Sequence, residues 1–210
     1  MKVTFKNQIK SIDELRAVMG FPRDLVQKKS INFIDNHCKE FIAKSPMVFI
    51  STANENGSCD VSPRGDPAGF VDVLDEQYLV LPERPGNKRC DSLVNILSNP
   101  HIGLIFIIPG LKETLRVNGK AILCRDEDLL QKYQINGNCP EVGIIVNVEE
   151  CFLHCAKAFL RSKLWEPKTW PEKKQLPSVA KVLADHINSS NFSKEEIQAV
   201  LEESYIKRLY

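Results

Sequence analysis

The apolar positions change period twice along the chain, dividing it into three parts. Ile12, Leu15, Ala17, Val18 and then Phe33, Ile34, Phe41 and Ile42 recur every three or four positions, the spacing of a helical face. Pro22 and Pro46 punctuate this helical segment, residues 1–46. From Met47 the pattern becomes short apolar runs between turns: Met47 to Ala53, the turn Asn54-Glu-Asn-Gly57, then Ser58 to Arg64. Asn56-Gly57 is a hairpin signal. Phe70 to Leu74 and Tyr78 to Leu81 flank the Asp75-Glu76 turn as a second hairpin. No helix-length stretch separates these four strands, which predicts an antiparallel meander.

A single helix interrupts the strand series, Lys88 to Ser98, with Leu93, Ile96 and Leu97 on one face and Asn99-Pro100 ending it. Gly86-Asn87 supplies its turn and N-cap. His101 to Ile108 is continuously apolar, as in a strand buried on both faces. Thr114 to Cys124 alternates, with Leu115, Val117, Ala121 and Leu123 opposite Arg116, Asn118 and Lys120. A short helical stretch around Asp126 to Tyr133 precedes the last strand, Gly143 to Leu153. The fold class is therefore mainly β with flanking helices (α+β). Six or seven antiparallel strands over residues 47–155 favour a closed or split barrel over a sandwich with two open edges. Residues 156–210 return to helix, broken by Pro167 and Pro171, with Val179 to Ile187 and Glu195 to Leu209 as a closing pair within one domain.

Composition narrows the functions. With 28 basic against 27 acidic side chains in 210 residues, the net charge of +1 gathers neither nucleic acid nor an anionic membrane. The longest apolar run, Ile102 to Leu111, contains Gly103, Pro109 and Gly110 and falls short of the roughly 18 residues of a membrane span. The polar start Met1-Lys-Val-Thr-Phe-Lys lacks a secretory apolar core, which predicts a cytoplasmic protein whose seven cysteines are thiols. Cys151-Phe-Leu-His154-Cys155 has neither the order of a haem attachment motif nor a second pair at zinc spacing. No Gly-x-Gly-x-x-Gly or Walker loop is present, since Gly119-Lys120 is followed by Ala121.

The candidate chemistry lies in Pro82-Glu-Arg-Pro-Gly-Asn-Lys-Arg-Cys-Asp91, which brings Arg84, Lys88 and Arg89 to the start of the internal helix. Cations in a first turn oppose the helix dipole, and an anion bound between them and the free N–H groups relieves both repulsions. The second reading is a solvated loop whose charges pair with Glu83 and Asp91. In Val61-Ser-Pro-Arg-Gly-Asp-Pro67 a strand ends around Arg64, placed either to reach the same anion or to pair with Asp66. Arg116 and Asn118 are further contributors or simply outward-facing polar residues.

These segments resemble a known family. Ser62-Pro-Arg-Gly-Asp-Pro-Ala-Gly-Phe70, Arg84-Pro-Gly-Asn-Lys-Arg-Cys-Asp-Ser92, Pro109-Gly110, Glu113-Thr-Leu-Arg-Val-Asn-Gly119 and His154-Cys-Ala-Lys-Ala158 are similar to the pyridoxamine 5′-phosphate oxidase-related FMN-binding split-barrel proteins, in a bacterial branch of unassigned substrate. The resemblance runs from about Phe33 to Pro167. It implies a six- to seven-stranded antiparallel split β-barrel of the FMN-binding type and a homodimer with FMN in grooves between subunits. By position, Arg64, Arg84, Asn87, Lys88 and Arg89 hold phosphate and ribityl, and the backbone at Ser62 and Pro63 faces the isoalloxazine. Arg161, Ser162 and Trp165 come from the partner chain. The residues that grip pyridoxamine phosphate in the true oxidase, and its Arg-x-His near the C-terminus, are not found. The implied function is an FMN-dependent oxidoreductase acting on a small-molecule substrate or electron acceptor. The alternative is a non-catalytic module for flavin, haem or deazaflavin, with His154 the residue to watch.

Overall fold

The computed structural model describes residues 3–188, 192–207 and 209–210. Three short helices open the chain: α1 (Ile12–Met19), α2 (Asp24–Lys28) and α3 (Asn36–Lys44). Ser11 caps α1 by accepting the Glu14 N–H, and Asp35 caps α3 by accepting the Cys38 N–H at 2.8 Å. α1 and α2 bury none of their residues; the apolar stripe of α1 lies open, with Ile12 75% exposed. α3 turns Ile42 into the core.

At Met47 the period change becomes a sheet: β1 (Met47–Ala53), β2 (Cys59–Gly65), β3 (Asp72–Val73), β4 (Tyr78–Pro82), then α4 (Asp91–Ser98), β5 (His101–Ile107), β6 (Thr114–Cys124), α5 (Glu127–Leu130) with a 3-10 turn at Gln131–Tyr133, and β7 (Gly143–His154). All seven strands join one antiparallel sheet in the order β2-β1-β5-β6-β7-β4-β3. This is the split-barrel architecture the sequence predicts, with one correction to its path. The first two hairpins do not meander side by side; they form opposite edges of the sheet. Pro63 and Pro67 interrupt the donor row at the end of β2. The Asp66 and Gly69 N–H groups bond Pro46 and Ser45 carbonyls instead, turning the chain away before β3 begins.

Inward-facing Val48, Ile50, Leu104, Phe106, Leu115 and Val117 are fully buried, each worth about 1.5–3 kcal/mol of apolar burial. A second correction concerns β5, predicted as covered on both faces. It alternates, leaving His101 and Ile105 exposed, because among the described residues no layer lies over the outer face. α4 packs on β1, β2 and β6, where Asn95 Nδ2 donates to Thr52 Oγ1 at 3.1 Å and Ser92 Oγ to Asp60 Oδ2 at 2.7 Å. α4 also starts three residues later than predicted, since Lys88 and Cys90 adopt left-handed φ values of 61° and 57° that a helix cannot contain.

After β7 come α6 (Lys157–Ser162), α7 (Val179–Ile187) and α8 (Lys194–Lys207), the last two packed together. The predicted stretch Glu195 to Leu209 includes residue 208, and the predicted segment 1–46 includes residues 1–2, which lie outside the described residues. Among the described residues no helix is long and apolar enough to cross a membrane.

Candidate functional site

The backbone ladder does not return from β4 to β2, and side chains span that seam. Arg64, at the end of β2, donates through Nε to Glu83 Oε2 at 3.0 Å, just past β4. Arg84 donates in the opposite sense through Nε to Asp66 Oδ2 at 2.6 Å. The seam therefore closes with a crossed pair of ion pairs. Arg64 is held further by Ser62 Oγ, beside it on the inward face of β2. Arg84 also donates to the Tyr133 carbonyl at 2.8 Å, and the Tyr210 ring lies 5.8 Å from its guanidinium.

Asp66 is the most enclosed carboxylate of this group, with its side chain 1% exposed. It accepts from Arg84 and, at Oδ1, from the Tyr210 hydroxyl at 2.7 Å. That bond raises the Tyr210 pKa. Tyr133 donates to Asp72 at 2.8 Å, and burial first, then the Asp72 bond and charge, raises its pKa. A cavity of about 210 Å³ opens here between Asp66, Phe70, Arg84 and Tyr133.

Arg89 reaches no farther than Asp91, at 2.8 Å, and is 73% exposed. Its own N–H donates to Asn87 Oδ1, so Asn87 shapes the loop and is not the N-cap. The N-cap is Cys90, in the left-handed region and without a side-chain acceptor for the helix. The first-turn N–H groups of α4 are thus uncapped by any side chain, beside Lys88, which has no ion-pair partner among the described residues. Of the pairings expected within this segment only Arg89–Asp91 is present: Arg84 pairs with Asp66 instead of Glu83 or Asp91, and Arg64, expected beside Asp66, pairs with Glu83.

The other candidates lie elsewhere. Pro63 and Arg116 face outward in one cross-strand row, Pro63–Phe49–Ile105–Arg116–Phe152, with Arg116 over the Phe152 ring at 5.7 Å. The neighbouring row contains Ser51, Gly103 and Asn118, around a shallow cavity of about 270 Å³ that Gly103 leaves open. Asn118 donates there to Glu150 at 2.6 Å. Arg161 and Ser162 end α6, and Trp165 stacks on Phe159 and donates to the Leu111 carbonyl at 2.8 Å. No hydrogen bond joins these three to Arg64, Arg84 or Arg89 among the described residues. His154 is exposed at the end of β7, and among the described residues no three His, Cys, Asp or Glu side chains cluster as a metal site. Sequence reasoning missed Tyr133, Tyr210 and Glu150, because isolated polar residues far apart in the chain carry no motif.

Residues 34–155, more than half the chain, match the family described as pyridoxamine 5′-phosphate oxidase, and the chain belongs to that family. Among solved structures it is similar to HupZ of group A Streptococcus, with 18% identity over 57% of this chain and 93% of that one, TM-score 0.48. A putative pyridoxamine 5′-phosphate oxidase from Lactobacillus delbrueckii has 22% identity over 58% and 95%, TM-score 0.44. The heme storage protein HutZ of Vibrio cholerae has 13% identity over 58% and 93%, TM-score 0.39. No curated protein matches the chain.

Proposed function

We propose that this protein binds FMN and acts in the cytoplasm as a flavin-dependent oxidoreductase on a small molecule or electron acceptor. The observation that carries the reading is the head of α4: an uncapped helix N-terminus, two left-handed residues, and the neighbouring cations Lys88 and Arg89. Strained backbone of this kind costs of order 1–3 kcal/mol per residue and collects at ligand clamps. A phosphate monoester fits: it complements the uncapped N–H groups and relieves the crowding of two cations in one turn. Asp91 opposes it, but its pair with Arg89 is exposed at both ends and exchanges at little cost. Membership of the family supports FMN as the molecule bearing that phosphate.

In this reading Asn87, Lys88 and Arg89 hold the phosphate, and Arg64 with Ser62 lines the ribityl side. Arg84 is a positioning residue that fixes the loop through Asp66. Bound FMN supplies a ring that takes up or gives up a hydride. The backbone at Pro63 and the outward Arg116 orient that ring. Arg161, Ser162 and Trp165 complete the site of a second copy, so the homodimer is part of the proposal. Absorbance of the purified protein, alone and titrated with FMN, tests it: absence of flavin bands in both conditions overturns the reading. If flavin binds but photoreduced protein is reoxidised by no acceptor with saturation kinetics, the protein carries flavin without turnover.

A further inference from the structure

The strongest feature outside this site is a pair of thiols. Cys151, in β7, is buried in the core, and its Sγ lies 3.4 Å from that of Cys38, a half-buried residue in the first turn of α3. We propose that Cys38 and Cys151 form a reversible disulfide that fastens α3 to β7 when the protein meets a hydroperoxide.

The surrounding backbone already holds the two sulfurs face to face. Ile31 and Cys151 form a two-way bridge, at 3.0 Å and 2.6 Å. Ser30 Oγ donates to Glu150 Oε1 at 2.8 Å and Lys29 Nζ to the Leu153 carbonyl at 2.6 Å, so residues 29–31 are stitched along β7. Asp35 then starts α3 and places Cys38 in its first turn. The sulfurs have to close from 3.4 Å to the bond length of about 2.05 Å, a change within reach of side-chain torsions. Among the described residues no other cysteine sulfur has a thiol within hydrogen-bond distance.

The pair divides the labour. Cys38 is the accessible member and lies at a helix N-terminus, which favours thiolate. It accepts a hydrogen bond from Cys151 that lowers its pKa against the opposing effects of burial and the Asp35 carboxylate. Cys151, as donor and deeply buried, is held protonated. The Cys38 thiolate attacks the peroxide; the O–O bond breaks, Cys38 becomes a sulfenic acid and the other oxygen leaves as hydroxide or alkoxide. Cys151 then attacks that sulfur; the S–S bond forms, the S–O bond breaks and water departs with the Cys151 proton. Two electrons have passed from the thiols to the peroxide, and a dithiol returns them.

The experiment treats the purified full chain with hydrogen peroxide at near-equimolar amounts, alkylates it and maps the peptides. The expected product is a Cys38–Cys151 cross-link, with the thiol count in denaturant falling from seven to five and returning with dithiothreitol. In Cys151→Ser the Cys38 sulfenic acid accumulates and is trapped by dimedone. Cys38 and Cys151 both alkylated while the exposed Cys59, Cys90, Cys139 or Cys155 are already oxidised overturns the proposal. So does undiminished oxidation of Cys151 in Cys38→Ser. Should either variant fail to fold, the wild-type peptide map decides alone.

Discussion

Arg84 Nε lies 2.6 Å from Asp66 Oδ2, and this contact ties the end of edge strand β2 to the end of β4, next to the opposite edge, in a seven-stranded sheet whose backbone ladder joins neither to the other. With Arg84 16% and Asp66 1% exposed, removing one partner strands a charge in a poorly solvated place. Asp66→Asn and Arg84→Ala are each expected to lower stability by about 3–5 kcal/mol in denaturant unfolding, whereas Arg89→Ala costs less than about 1 kcal/mol. Equal midpoints for all three variants would refute a closing role for the Asp66–Arg84 pair.

The phosphate assignment is tested by the residue whose loss leaves the seam intact. Arg89→Ala is expected to weaken FMN binding roughly ten- to a hundredfold, the worth of one charge-assisted bond, in fluorescence titration. Riboflavin, lacking the phosphate, binds the wild type more weakly and is indifferent to the substitution. Equal losses for the two flavins mark a structural defect and place the phosphate elsewhere.

Gly119 stands at the β-bulge where β6 slips its register against β7. A Cβ there would meet the Asn147 carbonyl oxygen at 2.0 Å, a contact that backbone movement has to relieve. Gly119→Ala is expected to cost at least about 1–3 kcal/mol. Gly103→Ala, whose methyl meets the Asn118 side chain at 3.4 Å, costs less. Thermal unfolding of the two variants ranks them directly.

Asp35 links pH to stability. Its pKa is lowered chiefly by the Cys38 backbone N–H that it accepts, and next by the Cys38 side chain. The folded value lies below the unfolded one of about 3.9, so the ionised cap stabilises at neutral pH. That contribution is lost as pH falls through the folded value. Asp35→Ala is expected to cost about 1 kcal/mol at pH 7. The gap from wild type narrows on acidification, while Asp35→Asn keeps a cap that does not titrate. A gap independent of pH down to the acid limit would contradict this origin.

Phe49 and Ile105 are cross-strand partners on the uncovered outer face, 37% and 41% exposed. If that face joins two copies, Ile105→Asp converts a dimer into a monomer with little loss of its own stability, and FMN affinity falls with it. Light scattering of the wild type at micromolar concentration decides first: a monomer with stoichiometric flavin removes the interface from the proposal.

Periodicity determined the strands, because inside-outside alternation and turn residues are local properties. β1 and β6 begin and end where the pattern says. The basic Pro82–Asp91 segment was legible for the same reason, as charge density along a few residues. Strand neighbours were not: nothing in β2 itself states that it ends at an open seam, or that β3 lies at the far edge. That depends on the anchoring of Asp66 and Gly69 to the Ser45–Pro46 corner. Nor could the sequence choose among carboxylates. Asp66, two residues from Arg64, pairs with Arg84, eighteen residues away, because the seam brings β2 and β4 ends together with their charges crossed. Cys38 and Cys151, 113 residues apart, meet for the same kind of reason: the stitching of residues 29–31 onto β7 sets their distance, and no spacing rule encodes it.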